Sequence, residues 1–381
     1  MVRKLIISHL FMIFSLSLLF AGGSQEDMAG YPMAAEAGRI VTDGLGRDVE
    51  VPVNPEHIIC SGPGALRLCS YLGCQDRVVA VDDMETRRPK FDARPYALAN
   101  PQFKQLPTFG EFRGHDNPEL IVALEPQPQV IFKTFPEMGM SPLELGTKTG
   151  IPVVVLNYGD LFAHKGDFYS SLRTMAEVMG RDERAKEVID FIEAIISDLS
   201  TRTAGISEDQ KKSCYVGGIA FKGPHGFQST EPAYPPFLFI KARNVAFAPS
   251  METKQLQHSN VAKESIVSWD PEILFLDVST LQSEPQSSAL YELQHDPAYR
   301  GLSAVRAGKV YGLLPYNWYS FNYGSILANS YYCASVLFPE AFGDISPRKK
   351  ADEIYSFLVG KPVFEELNEA FDSLAFGKIS M

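Results

Sequence analysis

Two hydrophobic periods alternate along this chain. Short apolar runs, many of them β-branched, stand at HIICS, RVVAVDD, PQVIF, IPVVVL, CYVGGIAF, EILFLD and KVYGLL. Between most of them, apolar side chains return at every third or fourth position, the period of an amphipathic helix. Strands that alternate with helices predict parallel sheets flanked by helices, because parallel neighbours need a crossover connection. The opening DGLGRDVEVPVNP departs from this pattern and reads as a small hairpin.

The middle of the chain is purely helical in period. DFYSSLRTMAEVMG gives one helix and DERAKEVIDFIEAIISDLSTRT a longer one, with Val188, Ile189, Phe191, Ile192, Ile195, Ile196 and Leu199 at helical spacing. About twenty residues at 1.5 Å each make a rod of about 30 Å. The strand–helix pattern resumes at Ser213. The expected fold class is therefore α/β, with two Rossmann-like lobes built on central parallel sheets. Residues 38–164 form the first lobe, 165–206 the linking helices, and 212–381 the second lobe with its C-terminal helices. A rigid helix between lobes predicts limited hinge motion, unlike a flexible Gly/Ser linker.

The N-terminus adds a destination. Arg3 and Lys4 precede an apolar run at 5–20 and the small residues Ala21, Gly22, Gly23 and Ser24, which reads as a secretory signal peptide over 1–23. The run is short for a membrane span, and His9 interrupts it. A lipidated protein would carry a cysteine just after the run, whereas the first here is Cys60. The expected location is the periplasm, without a lipid anchor.

Composition excludes more than it suggests. A net charge of −11 argues against nucleic acid as a partner. Five cysteines cannot all pair; Cys69 and Cys74 are close enough to bridge or to stand as buried thiols, and no CxxC pair suggests a thiolate metal site. The nucleotide signatures GxGxxG and GxxxxGK[ST] and the hydrolytic signatures HExxH and GxSxG are absent, so no enzyme is expected.

Several segments, in order, resemble the substrate-binding proteins of ABC importers for iron complexes, haem and cobalamin. DGLGRDVEVPVNPEHII looks like that family's opening, with His57 where arginine is usual. NPELIVALEPQPQVI is similar to its helix–strand signature, with Gln129 in place of aspartate; TGIPVVVL, VAKESIVSWDPEILFLD and VRAGKVYGL resemble later segments. The resemblance implies one long helix joining two lobes, with the ligand in the cleft between them. It implies an iron(III) complex, siderophore-like, as transported ligand and no intrinsic cofactor. Haem, cobalamin or a free metal ion are the alternatives. The implied partners are a membrane permease and its ATPase, served by a monomer. It also implies permease docking through Glu119 and Glu264, which otherwise read as solvated first-turn carboxylates favoured by the helix dipole.

Ligand contacts are expected where strands end in loops. After SGPG, Arg67 stands in the first turn of a helix. The irregular stretch FGEFRGHDNPEL holds Arg113 and His115, the latter a candidate metal ligand. In GGIAFKGPHGFQSTEPAYPPF, His225, Glu231 and Tyr234 are donors suited to a metal, with packing and turn-capping as their bland alternatives. In LLPYNWYSFNYG, Tyr316, Trp318 and Tyr319 can wall a large amphipathic ligand or fill a core, and Trp318 and Tyr319 are the ones expected at the surface. The arginines suit anionic chelators, which guanidinium pairs bidentately.

Overall fold

The computed structural model describes residues 38–87, 90–247 and 258–381; the expected signal peptide lies outside them. Among the described residues the apolar runs form a six-stranded and a four-stranded sheet, with two small antiparallel pairs besides. In the larger sheet, Ile58–Ser61 lies parallel between Val78–Asp82 and Val130–Thr134. Val153–Leu156 extends one side and Thr108–Glu111 the other, where His115–Asp116 closes the edge antiparallel. Every residue of Ile58–Ser61, Val130–Thr134 and Val153–Leu156 is buried. Strands covered on both faces favour apolar side chains at successive positions, which explains their runs; the polar Ser61, Lys133 and Thr134 stand at the strands' C-terminal ends. The smaller sheet is wholly parallel, in the order Arg243–Asn244, Ser213–Gly217, Ile273–Asp277, Val310–Leu313.

The opening hairpin pairs Arg39–Thr42 with Asp48–Val51. Asp43 organises its turn by accepting from the Leu45 and Arg47 amides and from the Arg47 guanidinium.

The connecting helix spans Asp182–Thr203, 22 residues, and buries Val188, Ile189, Ile192, Ile195 and Leu199. Phe191 is half-buried and stacks on Phe357 at 3.9 Å between ring centres. The helices Pro347–Val359 and Phe364–Glu369 pack on Ala65–Tyr71 and Pro95–Ala99, elements of the first sheet's layer. One hydrophobic cluster accordingly runs from Val41 to Phe376. The two lobes share a core around the connecting helix, and the chain's last helices return to the first lobe.

Two sequence features resolve structurally. Gly62 and Gly64 have φ of 86° and 81°; a Cβ would lie 2.5 Å from the Thr134 carbonyl oxygen at the first and 2.2 Å from the Tyr158 ring at the second. Close packing explains both glycines. The five cysteines, all within the described residues, are buried and unpaired. The Cys60 contact and burial push the Cys69 thiol far up, and burial pushes Cys74 to about 11. Among the described residues no helix is long and apolar enough to cross a membrane.

Candidate functional site

Loops that follow the strands of both sheets enclose a cavity of 1120 Å³. The first sheet contributes the segments 112–115, 135–139 and 156–160, and the second contributes 220–224 and 317–321. Its wall includes the aromatic rings of Phe112, Phe135, Tyr158, Phe221, Trp318 and Phe321. Several wall residues hold backbone that non-glycine residues rarely adopt: Arg113, Phe135, Lys222, Tyr319 and Ser320 have φ of 63°, 50°, 57°, 47° and 68°. Such backbone costs about 1–3 kcal/mol per residue and persists only where surrounding contacts impose it.

Those contacts are visible under the 317–321 loop. Asn317 and Phe321 bridge across it, so it is a tight hairpin. Arg67 lies beneath, with 1% of its surface exposed. Its guanidinium donates to Asn322 Oδ1 at 3.1 Å, to the Trp318 and Tyr319 carbonyls at 3.2 Å, and to the Tyr158 hydroxyl. Tyr158 in turn donates to the Phe321 carbonyl at 2.8 Å. Arg67 is thus consumed in fastening a second-lobe loop to the first lobe, and it does not border the cavity.

Tyr319 makes the complementary crossing. Its hydroxyl donates to Asp82 and accepts from the Arg113 amide at 3.2 Å. Burial, reinforced by nearby Glu85, pushes the Asp82 carboxyl up to about 7. Behind Asp82 lies a buried charge cluster: Arg94 meets Glu85 at 2.9 Å and Asp92 at 2.7 Å, and Tyr96 donates to Glu85 at 2.6 Å.

The cavity wall therefore brings together Arg113, His115, Trp318 and Tyr319 from the sequence candidates. The other candidates are elsewhere. Tyr234 is fully buried, and its hydroxyl accepts from Asn329 Nδ2 at 3.4 Å. Tyr316 is 1% exposed and donates to the buried Glu231 carboxylate. Burial, with Asp277 and Asp160 nearby, drives that carboxyl well above its ordinary range. His225 sits beyond the wall, with Nε2 bonded to the Phe221 carbonyl at 2.8 Å and its ring beside His258. His225 thus staples a turn, while Glu231 and Tyr234 lie in the core; the three do not border the cavity as a set. Among the described residues no group of three or more His, Cys, Asp or Glu side chains is placed to hold a metal ion. Glu119 and Glu264 are exposed in the first turns of Pro118–Val122 and Lys263–Trp269.

Tyr158, Phe112 and Lys222 are wall residues that sequence reasoning passed over. Tyr158 closely follows a predicted strand, the very signal used for the other loops. Lys222 stands in the stretch singled out for His225, and metal-donor chemistry drew attention away from its charge.

Comparison with known proteins places this geometry. The family model described as periplasmic binding protein matches residues 58–316. An uncharacterised ABC transporter substrate-binding lipoprotein of Bacillus subtilis, YvrC, is 21% identical over 176 residues, which is 46% of this chain and 51% of that protein. The chain thus spans about half the length of that curated relative. Among solved structures, a periplasmic solute binding protein from Veillonella parvula superposes with a TM-score of 0.67 at 17% identity, covering 88% of this chain and 98% of that one. The molybdate-binding MolA of Haemophilus influenzae gives 0.61 at 18%, covering 85% and 98%. CeuE of Helicobacter pylori, solved with Ni(II) bound, gives 0.55 at 17%, covering 84% and 96%. These likenesses carry the fold: two α/β lobes, one long joining helix and a cleft between. With the family model matching well over half its length, the chain belongs to the periplasmic binding protein family.

Proposed function

We propose that this chain is an extracytoplasmic solute-binding protein that captures a metal–chelate complex, an iron(III) siderophore-like ligand, and delivers it to an ABC importer permease with its ATPase. The observation that carries this reading is the cavity itself. Its 1120 Å³ lies just above the usual range for small-molecule sites, and its wall combines aromatic rings with several charged side chains. A bare oxyanion such as the molybdate of MolA, or a bare ion such as the Ni(II) of CeuE, would leave most of that volume unfilled. A metal held by its own chelator needs no cage of protein donors, in keeping with the scattered histidines.

In this reading Arg113, His115, Trp318 and Tyr319 contact the chelator, joined by Phe112, Tyr158 and Lys222. Arg67 and Tyr316 support the wall from within. Glu119 and Glu264, one on each lobe, dock the permease, since paired rim charges orient an encounter more than they hold it. The test is a thermal-shift screen of the exported protein against ferric siderophores, haem, cobalamin and free metal salts. A ligand at about a hundred times its Kd stabilises by about 2.7 kcal/mol. A shift with ferric chelates, absent for free iron salts, is expected. A shift with a sugar or a peptide and none with any metal complex would overturn the reading.

A further inference from the structure

Two loop tips in the cavity wall share one design. The first reads Phe112-Arg113-Gly114-His115 and follows a strand of the six-stranded sheet. The second reads Phe221-Lys222-Gly223-Pro224-His225 and follows a strand of the four-stranded sheet. In each, a basic residue with positive φ (63° for Arg113, 57° for Lys222) precedes a glycine with positive φ (73° and 145°). In each, the cation lies over the ring of the preceding phenylalanine, at 5.2 Å for Arg113 and 5.4 Å for Lys222.

Each tip is braced from behind. The Gly114 carbonyl accepts from Lys133 Nζ at 3.3 Å and from the Met140 amide at 3.1 Å. Lys133 is itself fully buried against Asp116 at 2.6 Å. In the second tip, the Phe221 amide donates to the Gly223 carbonyl at 3.0 Å, and His225 Nε2 meets the Phe221 carbonyl at 2.8 Å. Thr280 donates to the His225 carbonyl at 2.8 Å, and the Phe221 ring stacks on His258 at 4.5 Å.

The bracing leaves the charges idle. Arg113 and Lys222 are exposed, and neither has an ion-pair partner among the described residues. Other charges in the wall are engaged: Arg87 with Asp83 at 2.5 Å, and Asp167 with His164 at 3.3 Å. Asp160 accepts from the Phe162 and His164 amides. Glu137 is the further acid in the wall; its segment packs on the first tip, where Met138 and Gly139 adjoin Gly114, but among the described residues it forms no ion pair with Arg113. Strained backbone persists only where surrounding contacts hold it, and ligand clamps are among the sites where it gathers. Pre-organised cations lose little freedom when an anion arrives.

We propose that the tips Phe112-Arg113-Gly114 and Phe221-Lys222-Gly223 form a two-sided anion clamp, so that the cleft selects chelates bearing negative charge at two separated positions. This rests on the chelate reading above and deepens it, by naming the charge of the ligand and the residue on each lobe that meets it.

The chain has two tryptophans, Trp318 in the wall and the exposed Trp269. In a W269F background, quenching of Trp318 reports the cleft alone. The probes are a ferric tris-catecholate, which is trianionic, a ferric tris-hydroxamate of similar size, which is uncharged, and molybdate. The tris-catecholate is expected to bind more tightly than the tris-hydroxamate, and less tightly as salt rises. R113Q and K222Q are each expected to weaken it about tenfold, as loss of one charge-assisted contact would, with the melting temperature unchanged. R113K is expected to keep most of the preference, and each glutamine variant should lose more affinity for the tris-catecholate than for the tris-hydroxamate. Equal binding of the uncharged complex, or an R113Q/K222Q double variant that binds the tris-catecholate unchanged, overturns the clamp and leaves the chelate reading standing. Binding of molybdate alone, lost in the double variant, overturns the chelate reading and leaves an anion clamp. Binding of none of the three overturns both.

Discussion

Tyr319, on a loop after the second sheet's last strand, donates its hydroxyl to Asp82, at the end of a first-sheet strand. The bond crosses the cleft, and the same hydroxyl accepts from the Arg113 amide at 3.2 Å. One side chain thus ties together both lobes and a loop tip of the cavity. Tyr319→Phe keeps the ring and removes the tie. The expected cost is about 1–3 kcal/mol of unfolding free energy, the range for losing a hydrogen bond to a buried carboxyl. Urea denaturation at pH 7 measures it; a change within experimental error would mean that water replaces the tie at no cost.

The charge state of the buried acids gives a pH dependence of definite sign. Burial, then the Glu85 charge, raises Asp82 to about 7, and burial raises Asp277 to about 7 against its bond from the Ser279 amide. A carboxyl raised in the folded state binds its proton more tightly there than in the unfolded chain. Its contribution is complete below the ordinary value of 3.8 and is lost as pH rises to about 7. Asp277 Oδ2 has no hydrogen-bond partner, so its ionised form is poorly solvated. D277N is therefore expected to flatten the decline in melting temperature between pH 5 and pH 8. A decline as steep as that of the unmodified protein would mean that other groups set the slope.

Arg67 and Arg113 separate scaffold from site. Arg67 is buried and donates to four partners from both lobes, whereas Arg113 is exposed at the cavity. R67M removes the donor from two carbonyls and two side-chain oxygens, so it is expected to destabilise by about 1–3 kcal/mol for each buried group left unsatisfied. R113Q is expected to change stability by less than about 0.5 kcal/mol, the usual range for surface positions. Thermal denaturation of both variants decides this; equal losses would place Arg113 in the scaffold.

The sequence disclosed the sheets well because strands covered on both faces are mostly apolar, as in VVVL and the VIF of Val130–Thr134. It also located the cleft, since every wall segment follows a strand. It did less for individual side chains. Whether a tyrosine in a loop faces ligand or core depends on the partner supplied by a distant segment: Tyr319 found Asp82, and Tyr316 found Glu231. Arg67 looked free because its partners Tyr158 and Asn322 are remote in sequence. The return of the C-terminal helices to the first lobe carries no local signal at all. Lys222 was legible, since FKG repeats the FRG of the first tip, but its signal is a likeness between two loops, not a motif within one.

Glu231 offers a test of direct metal ligation. Its carboxyl is buried and accepts from Tyr316, and burial, with Asp277 and Asp160 nearby, raises it well above its ordinary range. Glutamine preserves shape and still accepts from Tyr316. E231Q is therefore expected to leave the affinity for a ferric chelate within about twofold, since no buried charge is lost from the ligand's surroundings. The visible charge-transfer band of a bound ferric complex is a second readout. A shifted band or a large loss of affinity would return Glu231 to the metal.

Docking makes the last prediction. Glu119-Leu120-Ile121-Val122 and Glu264-Ser265-Ile266-Val267 occupy equivalent short helices, one before a strand of each sheet. In both, the isoleucine is fully buried, while the glutamate is exposed and the valine is 44% or 39% exposed. The buried isoleucine fixes each helix on its lobe and so fixes the glutamate's position at the rim. Two equally placed carboxylates, held apart by a rigid joining helix, suit a partner with two cationic sites at a matching distance. E119Q and E264Q are each expected to reduce uptake of the cognate complex in cells, and the double variant to abolish it, with ligand affinity in vitro unchanged. Rim charges act mainly on the rate of encounter and are screened by salt, so the difference in uptake between the unmodified protein and either single variant should shrink as salt is raised. Uptake at the unmodified level in the double variant would remove these glutamates from the docking surface.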